Sequence, residues 1–231
     1  MVASLLSRIG VVVPVHNEEV LVGRCLSGIA EAVARSPLPV SVTVVLDRCT
    51  DQTERIANEF GGIELEIVHS RRPGVGAARS AGVQALLESN GPGQLWLATT
   101  DADSVVPPHW LVAQLAHAHD GADVVVGTVA VDDWSEQLPA VQTHYLAGYR
   151  AITGHRHMHG ANLSFRASSY LAAGGFDSRE YDEDVELIRR FEQADQCLIW
   201  AADLPVTTSA RRVGRAPHGF ADHLISLEEA P

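Results

Sequence analysis

Lysine is absent from the 231 residues. All 17 basic side chains are arginine, set against 29 Asp and Glu, for a formal net charge of −12. That excess of negative charge excludes sequence-independent binding to nucleic acid, which depends on cationic neutralisation of phosphates. Cysteine is scarce: Cys25, Cys49 and Cys197 are too few and too far apart for a disulfide framework or a Cys-rich zinc site. No run approaches the ~20 apolar residues of a membrane-spanning helix. The opening MVASLLSRIGVVVPV lacks the basic segment and small-residue cleavage site of a secretory signal. The expectation is a cytoplasmic protein with reduced thiols, with peripheral contact at a membrane left open. The rest of the composition, 46% hydrophobic and 20% charged, is that of a globular chain with enough material for a sizeable core.

Over the first 130 residues, short β-branched runs alternate with longer amphipathic stretches. The pattern predicts strands at 8–15, 40–47, 63–69, 94–100 and 122–129. It predicts helices at 20–35, 53–60 and 76–89, and a fourth from Pro107-Pro108 to about His119, since Pro is tolerated in a first helical turn. Such alternation specifies an α/β fold with a mostly parallel central sheet and helices on both faces. The second half is less regular. A helix is predicted at 135–152, a strand at 158–166, a short helix at 168–173, a Gly174-Gly175 turn, a helix at 185–194 and a last strand at 197–201. From Thr207 onward the chain reads as a surface loop rich in Arg, Gly and Pro. With no repeat and no low-complexity linker, residues 1–231 are expected to form one domain.

In an open α/β sheet, ligands bind beyond the carboxyl ends of the strands, and polar clusters fall at three of those ends. Pro14, His16, Asn17 and Glu18 follow the first strand, Asp47, Arg48, Thr50 and Asp51 the second, and Asp101 and Asp103 the fourth. Any one cluster could be an ordinary turn; three on one edge point to a site. If the chain stays extended past Thr100, Asp101 and Asp103 project to the same side. Their mutual repulsion calls for a nearby cation, and a hard divalent ion such as Mg²⁺ or Mn²⁺, shared with substrate phosphates, meets that need. The competing reading makes the pair a cap for the helix after Pro107.

Seven segments, in order, carry a resemblance. They are VVVPVHNEE (11–19), VVLDRCTDQT (44–53), GVGAARSAGV (74–83), TTDADS (99–104), HGANLSFR (159–166), GGFD (174–177) and EDVEL (183–187). Together the chain resembles the family 2 inverting glycosyltransferases, which have the GT-A fold of nucleotide-diphospho-sugar transferases. The resemblance implies a nucleoside-diphosphate sugar donor, UDP- or GDP-linked, a hydroxyl acceptor, a divalent metal and single displacement. It implies a nucleotide-binding half over about 8–130, an acceptor and catalytic half over about 131–206 and an Arg-rich C-terminal loop over 207–231. Matched position by position, Pro14, His16 and Glu18 would line the nucleoside pocket and Asp47 would read the base edge. Arg79 and Asp101 would lie near the nucleotide, Asp103 would hold the metal and Asp184 would be the general base. His159, Asn162 and Glu183 fall in the acceptor region. One departure is the end of the second strand, where Asp47 is followed by the bulky Arg48 in place of a second Asp and small residues.

Several motifs have plainer alternatives. Asp182, Glu183 and Asp184 open an amphipathic helix, where acidic residues are favoured by the helix dipole in any case. Gly74, Gly76 and Arg79 miss the dinucleotide fingerprint, since they follow the third strand and put Arg where the last Gly belongs; a nicotinamide cofactor is not expected. His155, His157 and His159 alternate, without the further ligands that a metal site would need, and are read as acceptor-pocket lining or a solvated strand entrance. In the tail, Arg211, Arg212 and Arg215 suit a diphosphate, because the planar guanidinium donates two hydrogen bonds at once. The resemblance to GT-A enzymes, some of which use a late His as a further metal ligand, makes His218 a candidate for that role. The rival readings are a nucleotidyltransferase of similar fold, disfavoured because PVHNEEV is no Gly-rich signature loop, and a nucleotide-sugar-binding protein without turnover.

Overall fold

The computed structural model describes residues 5–178, 181–215 and 219–229. Seven strands form one sheet: β1 (Arg8–Val15), β2 (Val40–Leu46), β3 (Leu65–His69), β4 (Leu95–Thr99), β5 (Val124–Ala130), β6 (Leu163–Arg166) and β7 (Leu198–Thr207). Their order is β3-β2-β1-β4-β6-β5-β7. β6 runs antiparallel to both of its neighbours and every other pairing is parallel, as expected for a mostly parallel α/β sheet. The helices are α1 (Val22–Ala34), α2 (Thr53–Glu59), α3 (Val75–Asn90), α4 (Trp110–His119), α5 (Pro139–Gly148), α6 (Ala167–Ala172), α7 (Glu183–Gln193) and α8 (Phe220–Ser226).

The two-residue period of β1 and β4 sorts the core into two layers. Val11, Val13, Trp96 and Ala98 pack with Leu26, Ile29, Trp110 and Leu111 of α1 and α4. Val12 and Leu97 face the other way, onto Leu86 of α3 and Leu187, Ile188 and Phe191 of α7. Both faces of the central strands are therefore buried, which is why β1 reads as a continuous apolar run. A smaller third cluster, Val141, Tyr145, Ala210 and Leu224, with Phe220 and Leu227 against it, fastens the C-terminal segment to α5.

The second half departs from the sequence-based elements for identifiable reasons. The helix expected at 135–152 is confined to Pro139–Gly148, with Pro at its start and Tyr149 already extended. The strand expected to end at Ala201 continues to Thr207. A bulge opposite Thr128 shifts the register between Gly127↔Ala201 and Val129↔Val206, and it absorbs Pro205, which is exposed and cannot donate to a ladder. The strand expected at 158–166 begins only at Leu163, after a 3₁₀ turn over Gly160–Asn162. The tail expected to be loop contains α8, whose Ala221 and Leu224 are buried.

Candidate active site

The carboxyl ends of β1, β2 and β4 carry the polar clusters, and left-handed turns aim them. Asn17 (φ 52°) and Arg48 (φ 51°) each reverse the chain just past a strand end. Pro14 is buried as the penultimate residue of β1. His16 Nδ1 lies 2.6 Å from the carbonyl oxygen of Asp47, so the two expected base-pocket residues are locked together. Asp47 accepts from Arg48 Nε at 2.9 Å and from the Gly74 N–H at 2.9 Å. Burial acts to raise its pKa, but those two hydrogen bonds, Arg48's the larger, hold the carboxyl below its usual value. Gly74 sits at φ 104°, a conformation open to glycine, and so can present its N–H there.

Beyond β4 the carboxylates crowd together. Glu18, 5% exposed, has its pKa raised by burial and by Asp103, against the pull of Arg211. Asp101 is also raised, by burial first and then by Asp103 and Asp184, in spite of Arg79. The thiol of Cys25 beneath them is pushed far up by burial and by Asp103, Asp101 and Glu18 together. Arg211 answers this charge: its Nη2 donates to Asp103 and its Nη1 lies 2.6 Å from Glu18 Oε1. Arg215 Nε stands 3.5 Å from the same Glu18 oxygen. The strap carrying Arg211 is fixed in place, since Ser104 Oγ donates to Thr208 Oγ1 at 2.9 Å and Gln137 Nε2 to the Ala210 carbonyl at 2.7 Å. Of the three tail arginines, Arg211 and Arg215 therefore converge on the strand ends. Arg212 turns away, to Glu228 Oε1 at 2.5 Å. His218 lies outside the described residues.

Asp184, on a different element, is close enough to Asp101 to act on it electrostatically. It is the second residue of α7, whose left-handed N-cap is Asp182 (φ 58°). Its Oδ2 accepts the Gly160 N–H at 2.5 Å and its Oδ1 the Val185 N–H at 2.8 Å. Asp101 interacts electrostatically with both Asp103 and Asp184. Arg79 closes the arrangement from below by pairing with Asp101 and Glu183.

Two residues expected in the acceptor region are interior. Glu183 is 2% exposed and spent on Arg79. Asn162, 1% exposed, donates to the Thr128 and Leu204 carbonyls at 2.8 Å each and accepts from Trp110 Nε1 at 2.9 Å. It clasps β5, β7 and α4. Asn162→Ala leaves three buried partners unpaired, and at 1–3 kcal/mol for each orphaned group it should cost ~3 kcal/mol or more in a denaturant titration.

The three alternating histidines do share one side, although the backbone there is not a strand. His155 and His157 stack at 5.6 Å, His157 on Tyr149 at 3.9 Å, and His159 meets Phe220 edge-on at 6.4 Å. The Tyr149 hydroxyl accepts the Val129 N–H at 2.9 Å and shares a hydrogen bond with His159 Nε2, 3.0 Å away. Burial, then His157, His155 and His223, lower His159 to about 3; His155 and His223 are lowered too, mainly by burial. A histidine with a lowered folded pKa contributes its full share of stability above the unfolded value of 6.5 and loses it as pH falls towards the folded value. Unfolding free energy should therefore fall between pH 6.5 and 5, by at most ~1.4 kcal/mol per pH unit for each such histidine, and melting temperature with it. His159→Gln should flatten that slope in a melting series over pH.

Comparison with known proteins now bears on this cleft. The model of the Glycosyl transferase family 2 family matches residues 10–172, most of the chain. The chain belongs to glycosyl transferase family 2. A relative of this family-2 chain is the glucosyl-dolichyl phosphate glucuronosyltransferase of Haloferax volcanii, 25% identical over 193 residues, covering 74% of this chain and 60% of that protein. Another is the probable glycosyltransferase YdaM of Bacillus subtilis, 26% identical over 200 residues, covering 80% of this chain and 46% of that protein. The chain thus spans roughly half the length of these curated relatives. Among solved structures, the mannosyltransferase PcManGT of Pyrobaculum calidifontis, in complex with GDP-Man and Mn²⁺, superposes with a TM-score of 0.64 at 21% identity over 99% of this chain and 72% of that one. S. aureus TarS residues 1–349 with UDP-GlcNAc gives 0.64 at 16% identity over 95% and 65%. The fold is that of the GT-A glycosyltransferases. No helix among the described residues is long and apolar enough to cross a membrane.

Proposed function

We propose that this chain transfers a sugar from a nucleoside-diphosphate donor to an acceptor hydroxyl with inversion at the anomeric carbon. The observation that supports the reading is that Arg79 bridges Asp101 to Glu183 and the Gly160 peptide links Thr99 to Asp184, bringing the start of α7 beside the end of β4. In this reading Asp184 takes the proton of the acceptor hydroxyl as that oxygen attacks the anomeric carbon. Attack opposite the departing diphosphate gives inversion, through a state with oxocarbenium character. Pro14, His16, Glu18 and Asp47 bound the nucleoside, with Asp101 beside the ribose. Arg211 and Arg215 offer hydrogen-bond forks to the diphosphate. His159, beside the Gly160 peptide that holds Asp184, faces the acceptor side. The donors named for structural neighbours, UDP-GlcNAc and GDP-Man, support a UDP- or GDP-linked sugar.

A divalent cation fits this donor set. Among the described residues no three His, Cys, Asp or Glu side chains form a complete ligand group, yet Mg²⁺ and Mn²⁺ are commonly held by one or two carboxylates with substrate phosphates supplying the rest. Glu18, Asp101, Asp103, Glu183 and Asp184 outnumber Arg79, Arg211 and Arg215, and Asp103 already faces a cationic group. Asp103 would hold the ion, and bound there it would stabilise charge on the departing diphosphate. Its seat requires Arg211 to move off Asp103.

A thermal-shift screen of nucleoside diphosphates with and without Mn²⁺ tests the donor class. A ligand that binds only the folded form stabilises it by about 2.7 kcal/mol at 100 times its Kd. UDP or GDP should raise the melting temperature, more so with Mn²⁺. No shift with any nucleoside diphosphate contradicts the reading.

A further inference from the structure

Arg79 stands where the donor-side and acceptor-side carboxylates meet, and its surroundings suit a flat guanidinium. It lies in the second turn of α3 and is 3% exposed. One Nη donates to Asp101 Oδ1 and the other to Glu183 Oε1. Its plane rests on Gly160, where a β-carbon would overlap Cζ and both Nη atoms. Gly160 is itself tied on both sides. Its N–H donates to Asp184 Oδ2 at 2.5 Å, and its carbonyl accepts from Thr99 Oγ1 at 2.6 Å, at the end of β4. A hydrogen-bonded path therefore runs from β4 through the Gly160 peptide to Asp184, with Arg79 bearing on its middle.

We propose that Arg79 is a positioning residue for Asp184 and not a ligand of the donor nucleotide. Arg211 also pairs with two carboxylates but is 17% exposed, whereas Arg79 is 3% exposed, with both Nη atoms on protein carboxylates and its face against Gly160. The two charge-assisted bonds fix the guanidinium within its plane. Contact with Gly160 fixes it perpendicular to that plane. Together they hold the first turn of α7, through Glu183, and the peptide that aims the neighbouring Asp184. Lysine keeps the charge but has no planar fork, so it cannot bridge both carboxylates while lying flat on Gly160. The glycine is required for the same reason. The inference rests on the reading of Asp184 as the base.

The test compares Arg79→Lys and Gly160→Ala with Asp184→Asn. It measures kcat at saturating donor, the affinities of UDP and GDP with Mn²⁺ by calorimetry, and melting curves. A base misplaced by about 1 Å costs on the order of 10²-fold in rate. Arg79→Lys and Gly160→Ala should each lose about that factor in kcat while binding the preferred nucleotide as the wild type does. Removing one partner from a buried ion pair can unfold a chain. If Arg79→Lys does not melt cooperatively, Arg79→Met with Glu183→Gln replaces it, which neutralises the buried pair, and the same outcome is expected. Unchanged kcat, or nucleotide affinity lost in step with activity, overturns the positioning role. Turnover retained by Asp184→Asn overturns the base assignment beneath it.

Discussion

Asp184→Asn should reduce turnover by ~10²–10⁴-fold, the usual contribution of a positioned general base, while the affinity for nucleoside diphosphate stays at the wild-type value. The separation follows from where the side chain is held. Its oxygens accept the Gly160 and Val185 N–H groups, neither of which belongs to the strand-end turns around His16 and Asp47. Asn preserves the volume and one acceptor oxygen, so the helix start should survive, but the amide cannot take a proton. Single-turnover kinetics beside nucleotide calorimetry checks both halves. Loss of binding together with turnover would mean that Asp184 serves the structure of the cleft, as an acidic residue in a first helical turn can.

Asp103→Asn should lose metal-dependent nucleotide binding and reduce turnover by ~10²–10³-fold, the range seen when one group stabilising developing charge is removed. Arg211→Met is the informative partner. Arg211 neutralises Asp103 and Glu18, and with both carboxylates near it the guanidinium's pKa is raised in spite of its burial. Without it the two carboxylates face each other uncompensated. The protein free of nucleotide should then bind Mn²⁺ more tightly than the wild type, whereas Asp103→Asn should bind it more weakly. Titration of Mn²⁺ by its electron paramagnetic resonance signal reads both. Equal affinity in all three proteins would place the cation elsewhere.

Much of the fold was legible because its signals are local. β1 to β5 alternate with helices at the spacing of a doubly covered sheet, and burial makes β1, β4 and β5 largely apolar runs that need no partner to be recognised. The strand-end clusters were legible for the same reason, since Glu18, Asp47, Asp101 and Asp103 each fall within a few residues of the end of a strand-like run. What escaped depended on contacts distant in sequence. Pro205 argues against a strand when read alone; only the bulge opposite Thr128 shows how β7 carries it. α8 is a short helix held by Val141 and Tyr145, some eighty residues earlier. Asn162 and Glu183 sit inside motifs that mark the acceptor region, yet their partners are Trp110, Leu204 and Arg79. Gly160 gave no signal of its own, since its role depends on an arginine from another helix lying across it.

The most direct test of the account is the product of donor turnover. The chain is incubated with UDP- and GDP-linked sugars and Mn²⁺, with the Asp103→Asn and Asp184→Asn proteins alongside, and the nucleotide released is identified by phosphorus NMR. The expected result is nucleoside diphosphate and sugar, formed only with the divalent ion and slowed by at least ~10²-fold in each variant. Nucleoside monophosphate and sugar 1-phosphate, the products of attack at phosphorus, or turnover that survives loss of Asp103 and Asp184, would contradict it.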